Sequence, residues 1–533
     1  MGAGGVVTAG TQPIGIDLGT TYSVVATVDA EGRPTVLRND LDEETVPSVV
    51  HFESASCVLV GSAANNATAV APDHTVALIK RQMGTDRLLE FSGVEYTPES
   101  ISSLILRALV QGVANARGYR PPPPGVPVPA VVTVPAYFGI REREATQQAC
   151  LLAGIDVLEL VSEPVAAAIH YGLSDSPGQG LALVYDLGGG TFDATLLEIG
   201  AQISVLATDG DAELGGADWD ERLVAHLMDR FEEVAGSQDD PTDDPSFLPT
   251  LRQMAERLKR DLSRVTSRQV PIRQAGRTVT VTVTRTEFEA MTRDLVETTL
   301  AAVRRLLQHA GRVPAEVRHV LMVGGSSRMP MVSAALVAEF GWQPRLYDPD
   351  LAVAKGAALR AHHLRPPVSA AGGPGIRAVQ SRAATASVVA RGLGLLIEDS
   401  NDPTANRTFV QHVIHQNERL PIVGRQAELA TILPGQGRMK IAVYEQAGSV
   451  SSPEAEHNRP ALEGELSGLP DRLPAGSRIV VSLSLGLDGR LEVTATEPRS
   501  GVTLRLEAFV EGVIDAEARR QAAGRLNSIT VRQ

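Results

Sequence analysis

The stretch LVYDLGGGTFDATLLEI, Leu183 to Ile199, restates IGIDLGTTYSVVATV, Ile14 to Val28. Each copy runs apolar strand, Asp, Gly, Thr, apolar strand. Gly in the turn lets backbone N–H groups approach an anion, and the missing side chains leave room for it. A single Asp-Gly turn after a strand marks no more than a β-turn. Two copies in register, half a domain apart, predict two similar lobes whose turns clamp a triphosphate, with Asp17 and Asp186 near a hydrated magnesium ion. The ordinary P-loop is absent, since no Gly-Lys-Ser or Gly-Lys-Thr occurs, and a dinucleotide fingerprint is absent too.

The chain has 533 residues, is 43% hydrophobic and carries a formal net charge of −14, so it predicts two or three globular domains. The acidic balance argues against a nucleic-acid partner, whose phosphates need clustered Lys and Arg. Cys57 and Cys150 stand far apart and give neither a disulfide framework nor a zinc site. The start MGAGGVVTAGTQP has no basic, apolar signal pattern, and no run of about eighteen apolar residues exists to span a bilayer. These readings predict a cytoplasmic protein with no membrane partner.

Strand and helix patterns alternate from Ile14 to Leu364. Apolar runs such as AVVTVPAYF and HVLMVGG predict buried strands, and LRQMAERLKRDLSRV spaces its apolar residues as a helix does. From Arg365 to Arg391 the composition turns to Ala, Gly, Ser and Pro without an acid, which predicts a mobile linker. Beyond it, RTFVQHVI, RQAELATI, MKIAVYEQ, RIVVSLSLGL, RLEVTATE and VTLRLEAFV alternate between turns such as LDGR and PRSG, the rhythm of an all-β sandwich. We therefore expect a flexible start at 1–13 and an α/β region at 14–364, with lobes of about 14–180 and 181–364. A linker at 365–387, a β-sandwich at 388–510 and a residual C-terminal helix within 511–533 complete the division.

Nine landmarks, in order, carry a resemblance to the seventy-kilodalton heat-shock chaperone family: GIDLGTTYS, LIKRQMG, VVTVPAYFGIREREAT, EPVAAAIHYGL, YDLGGGTFD, GDAELGGADWD, ERLKRDLS, VGGSSRMPMV and DPDLAVAKGAA. The resemblance covers nearly the whole chain. It implies duplicated actin-like (ribonuclease-H-like) ATPase lobes followed by a peptide-binding sandwich, with ATP/ADP and Mg2+, and K+ as a further ion. Gly19, Thr20, Thr21 and Tyr22 match the first phosphate loop, and Gly188, Gly189, Gly190 and Thr191 the second. Lys80 matches the family's catalytic lysine. Glu163 and Asp193 match carboxylates that position water and the metal shell, and Asp17 and Asp186 those that hold magnesium through water. Glu256, Lys259 and Ser263 match adenine and ribose contacts. Gly324, Gly325, Ser326, Arg328 and Asp350 match the rest of the nucleoside pocket. Pro135 and Arg143, with Glu163, match a relay toward the sandwich.

The resemblance further implies unfolded or extended polypeptide clients, a J-domain co-chaperone and a nucleotide exchange factor. Leu395, Met439 and Ile441 are the candidates for the peptide cleft, and Arg490 falls where the family has an aliphatic pocket residue. A one-residue slip in register would exchange the faces of all these side chains. Two departures weaken the match. The family's leucine-rich linker is replaced by Ala383, Ala384, Thr385, Ala386 and Ser387, which predicts weak docking, and the residues after the sandwich are expected to supply no helical lid. An alternative is a nucleotide-gated scaffold with one dedicated partner. A small-molecule kinase of the same superfamily would need a substrate domain inserted between the lobes, and none is found.

Overall fold

Ile14–Asp17 and Tyr22–Val28 form an antiparallel hairpin, with Asp17 opposite Val24. Gly180–Leu187 and Phe192–Ile199 form the second, with Asp186 opposite Asp193. Each hairpin is continued on one side by parallel strands. In the first lobe the sheet order is Ile155–Ser162, Val128–Val134, Ile14–Asp17, Tyr22–Val28, Pro34–Val36. In the second it is Ile203–Asp211, Phe192–Ile199, Gly180–Leu187, Val317–Val323, Arg345–Leu346. The near-continuous burial of Val128–Val134 and Gly180–Leu187 is what apolar runs covered on both faces require. The structure is a computed structural model, and it describes residues 11–533 apart from 69, 174–179, 201–202, 236–243, 245, 275–276, 365–387, 399–406, 448–450, 487–489, 509–523 and 527. No helix among the described residues is long and apolar enough to cross a membrane.

Two helices fill the space between the sheets. Glu163–His170 begins with Pro164 in its first turn, and its Ala166, Ala167 and Ala168 are fully buried. Ala352–His363 lies against it, with Val353, Ala357 and Ala361 joining Val131 and Val161 of one sheet and Val184, Leu321 and Val323 of the other in one core. Small residues set how close these layers come. A methyl group on Gly356 would strike the Ala166 carbonyl, and one on Gly15 would strike the backbone at Ala354 and Ala358. The lobes therefore share a seam of backbone-to-backbone contact, which fixes the angle between their hairpins.

Among the described residues eight strands follow in two four-stranded antiparallel sheets, where the sequence pattern marks six. One sheet orders Thr408–Ile414, Leu393–Glu398, Arg438–Gln446, Asn458–Ser467, and the other Ile422–Ala430, Arg478–Leu485, Leu491–Thr496, Thr503–Ala508. Their inward residues, among them Leu393, Val443, Leu466, Val481, Leu483 and Val493, make one core. Leu393–Glu398 and Asn458–Ser467 are the two strands that the pattern does not mark. The second carries Pro460 and Gly464, which dilute the period-two signal.

Of the residues expected to hold a C-terminal helix, 524–526 are described and helical, and Thr530–Arg532 beyond them forms a strand paired in parallel with Cys57–Val60 of the first lobe. Its few residues have no pattern that reads as a strand alone, and the partner edge supplies the hydrogen bonds. Weak linker docking is the expectation for Ala383 to Ser387, which lie outside the described residues. The next residue, Val388, is buried in the interlobe core with Val131, Val161 and Leu197.

Replacing Gly356 by Val is expected to lower the stability of the two-lobed region by about 1–3 kcal/mol, because the seam cannot widen without moving backbone. A urea-unfolding midpoint equal to that of the parent would contradict this.

Candidate functional site

A cavity of about 570 Å3 opens between the hairpins. Asp17, Gly19, Thr20, Thr21 and Tyr22 line it from the first lobe and Asp186, Gly188, Gly189 and Thr191 from the second. The two turns touch. A methyl group on Gly189 would overlap the Thr21 hydroxyl, so glycine is required there for the jaws to meet. The Thr21 Oγ1 atom is buried without a hydrogen-bond partner. A buried hydroxyl left unpaired costs stability unless a ligand satisfies it, and a phosphate oxygen suits this donor.

Lys80 reaches the same cavity from the short helix Ile79–Gln82, which follows Leu78 in the left-handed region at φ 56°. Its ammonium lies 2.6 Å from Glu163 Oε1, and both side chains are nearly buried. Neither partner can be removed cheaply, since the other would remain as an unpaired buried charge. Around this pair stand Asp17, Asp186 and Asp193. Burial, then the charge of Glu163, pushes the Asp17 carboxyl up to about 7 despite Lys80 and the Thr133 hydroxyl bond. Burial, then Glu163, Asp17 and Asp193, holds Asp186 well above the usual carboxylate range. Carboxylates so crowded by one another fit a divalent cation between them. No three acidic, His or Cys side chains among the described residues close on one point to hold a metal directly. The donor set fits an ion that keeps its water shell, with Asp17 and Asp186 accepting from that shell.

Asp193 is close enough for its charge to raise Asp186, but it is held by a backbone N–H and two threonines. It is 3% exposed and does not line the cavity. Its Oδ2 accepts the Ala136 N–H at 2.8 Å, and its Oδ1 accepts the hydroxyls of Thr195 and Thr208. Burial comes first among the causes that push its carboxyl up to about 7. Gly190 is also off the cavity lining, packed on Thr20 and bonded through its carbonyl to Arg81 Nε at 2.6 Å. Pro135 and Arg143 lie behind the cavity, where Arg143 Nε donates to the Phe138 carbonyl.

Glu256, Lys259, Ser263, Gly324, Gly325, Ser326, Arg328 and Asp350 line the same cavity. Gly324 has φ 80° and packs on the Leu187 carbonyl, a position closed to other residues. Several of these groups are already engaged. Lys259 Nζ donates to the Gly216 carbonyl and to Asp220, each at 2.7 Å. Arg328 and Asp350 pair with each other. Glu256 accepts from the Tyr22 hydroxyl at 3.0 Å, a bond across the cleft, and Arg260 lies over the Tyr22 ring at 5.0 Å. Sequence reasoning missed Arg260, Arg264, Asp220 and Arg81. Arg260 was within reach, being four residues from Glu256 on the same helix face. Arg81 gives no signal of its own beside Lys80, yet it bridges the lobes to Gly190, Glu213 and Asp218.

The sandwich docks behind the cavity. Glu445 accepts the Ile140 N–H at 3.0 Å and pairs with Arg459 at 2.6 Å, and Arg459 pairs in turn with Glu142 at 2.6 Å. Arg391 adds a second ion pair to Glu142. Burial works against ionised Glu142, but the two guanidinium groups outweigh it and hold the carboxyl below its usual range. On the other lobe, Asn417 Oδ1 accepts the Thr208 N–H. Asp193, through Thr208, thus joins the Pro135–Ala136 turn to the sandwich.

The residues expected to line a peptide cleft lie in the core of the sandwich and in one of its turns. Leu395 and Ile441 are at most 1% exposed and sit in the sheet-to-sheet core with Met439. Their strands present these residues inward, the register risk that alternation alone leaves open. Arg490 belongs to the turn between Arg478–Leu485 and Leu491–Thr496, where its carbonyl accepts the Gly486 N–H at 2.9 Å. Val423, Ile432 and Leu433 are the exposed large apolar residues among the described residues of the sandwich.

Two facing glycine-threonine turns, an acidic pocket with two buried lysine ion pairs, Lys80–Glu163 and Lys259–Asp220, and a β-sandwich docked behind them define a two-lobed protein with a cleft between its lobes and an attached β-domain. A family model described as Hsp70 protein matches residues 13–90 and 87–518. The chaperone proteins DnaK of Thermotoga petrophila and Thermotoga maritima are each 34% identical over 498 residues, 92% of this chain and 78% of theirs. The chain belongs to the Hsp70 family and is an Hsp70-type chaperone.

Crowding of the carboxylates has a pH signature. The folded Asp17 carboxyl titrates near 7 against an ordinary value of 3.8, so its contribution to stability is fully present below about pH 4 and lost by the time pH has risen through about 7. Asp17→Asn, which cannot ionise, is expected to raise the thermal midpoint of ligand-free, magnesium-free protein above the parent's by an amount that grows between about pH 4 and pH 7. A difference that stays constant over that window would show that Asp17 is not the group concerned.

Proposed function

We propose that this chain hydrolyses ATP with magnesium and uses the nucleotide state to regulate the sandwich's hold on extended polypeptide. The observation that carries the reading is the unpartnered Thr21 hydroxyl against Gly189, inside a pocket that also contains the Lys80–Glu163 pair. Thr20, Thr21 and the Gly188–Thr191 turn would bind the β- and γ-phosphates, and Asp17 and Asp186 would accept from waters on the metal. The ion, when bound, supplies positive charge that offsets the phosphates, and K+ would be a further counter-ion to the same acidic pocket. Glu163 holds Lys80 at the cavity wall, where its ammonium can orient a water and stabilise charge gathering on phosphoryl oxygens. Arg260, stacked on Tyr22, and Arg328 would flank the base. Asp193 acts as a positioning residue, passing a shift of the Pro135–Ala136 turn to Thr208 and Asn417.

In this reading residues 14–364 are the actin-like ATPase domain and 388–510 the peptide-binding sandwich, working in the cytoplasm with a J-domain protein and an exchange factor. Extended segments would meet the sandwich near Ile432 and Leu433, where backbone bonding gives affinity and one apolar site gives preference. A second reading, a nucleotide-gated scaffold with one partner, is favoured by the burial of Leu395 and Ile441 in the core.

Lys80→Ala is expected to keep nucleotide affinity within a few-fold and to lose turnover by at least about 100-fold, the usual cost of a charge-stabilising group. Normal single-turnover hydrolysis would remove Lys80 from the mechanism. Affinity for a short apolar peptide should differ between ATP and ADP by about 5-fold or more, and Arg459→Ala should narrow the difference. Equal affinities in the parent protein would leave the scaffold reading.

A further inference from the structure

We propose that residues 524–533 are an intramolecular peptide ligand of the first lobe, and that by bracing the sheet that carries the Asn65–Gln253 contact between the lobes they slow nucleotide release. The inference rests on the nucleotide reading above.

The segment is anchored at three points. Thr530–Arg532 lies parallel to Cys57–Val60, with Thr530 opposite Cys57, Val531 opposite Val58 and Arg532 opposite Leu59, and Thr530 N–H donates to the Ser56 carbonyl at 2.9 Å. Leu526 and Ile529 are 2% and 7% exposed in the core of the first lobe. Arg107, from the helix Pro98–Gly112, donates to the Leu526 carbonyl at 2.6 Å, and Gln533 Nε2 donates to the Ala108 carbonyl at 2.7 Å. A methyl group on Gly112 would strike the Gln533 amide. Backbone pairing on an open edge, with alternate side chains in apolar seats, is how a sheet binds a peptide.

The edge it covers leads to the cleft by two routes. Its sheet orders Thr530–Arg532, Cys57–Val60, Val50–Ser54, Thr75–Val76. Cys57–Val60 runs into the helix Ser62–Ala67, whose Asn65 carbonyl accepts Gln253 Nε2 of the opposite lobe at 2.8 Å. Thr75–Val76, three strands away, runs into the turn that presents Lys80. An edge strand lost from such a sheet frees the strand that carries the cross-cleft latch.

The register supplies the test. Thr530→Cys places a thiol opposite Cys57, and the other native cysteine, Cys150, is buried. Oxidised Thr530→Cys should link Cys57 to the thiol introduced at position 530 within one chain, and its release of a fluorescent ADP analogue with magnesium should be slower than that of the same protein reduced. Leu526→Asp with Ile529→Asp, or removal of 524–533, should speed release about 5-fold or more, and the synthetic 524–533 peptide should restore the slow rate to the shortened protein. No linkage, linkage between two chains, or equal release rates from oxidised and reduced protein with normal nucleotide binding would overturn this inference alone. Parent protein that binds no nucleotide would overturn the nucleotide reading and the inference with it.

Discussion

Buried negative charge between two lobes is the constraint on which the rest depends. Asp17, Glu163, Asp186 and Asp193 are drawn together because two hairpins end in acids and the lobes are pressed face to face. Desolvation and mutual repulsion make this costly, and the Lys80 ammonium offsets part of it. Such a cluster is stable enough to persist only because the surrounding seam is rigid. It gains most from a ligand that brings magnesium and fills the Thr21 donor.

Rigidity comes from small residues rather than large ones. Gly15, Gly356 and the alanines at 166, 354 and 358 let backbone meet backbone between the sheets. Close packing of this kind has little freedom to adjust gradually, so a change in the angle between lobes is transmitted to whatever is attached. The attachments are the Pro135–Ala136 turn, bonded to Asp193, and Val388, seated in the interlobe core. Both lie on the side where the sandwich docks.

That docking is built from charge. Glu142, Arg391, Arg459 and Glu445 form a buried ion network between lobe and sandwich, and Glu445 also takes the Ile140 N–H. A network of this sort is worth much while every member is paired and little once one is lost. It therefore suits an interface that exists in one arrangement and separates in another.

The repeated hairpins and their glycine turns were legible in the sequence because each is a local pattern of strand, turn and strand, whereas Lys80 and the residues from Glu256 to Asp350 stood out only through the family resemblance. The sandwich was legible as alternation, though Asn458–Ser467 was hidden by Pro460 and Gly464, and the inward facing of Leu395 and Ile441 could not be read from period alone. What only tertiary structure decided is which groups meet across long separations. Asp193 binds Ala136 and Thr208 instead of lining the cavity, Arg81 bridges the lobes, and Thr530–Arg532 takes the edge of Cys57–Val60. The reason is physical: sequence periodicity fixes which face of an element is apolar, whereas pairing of charges and of open strand edges depends on distances that exist only once the elements have packed.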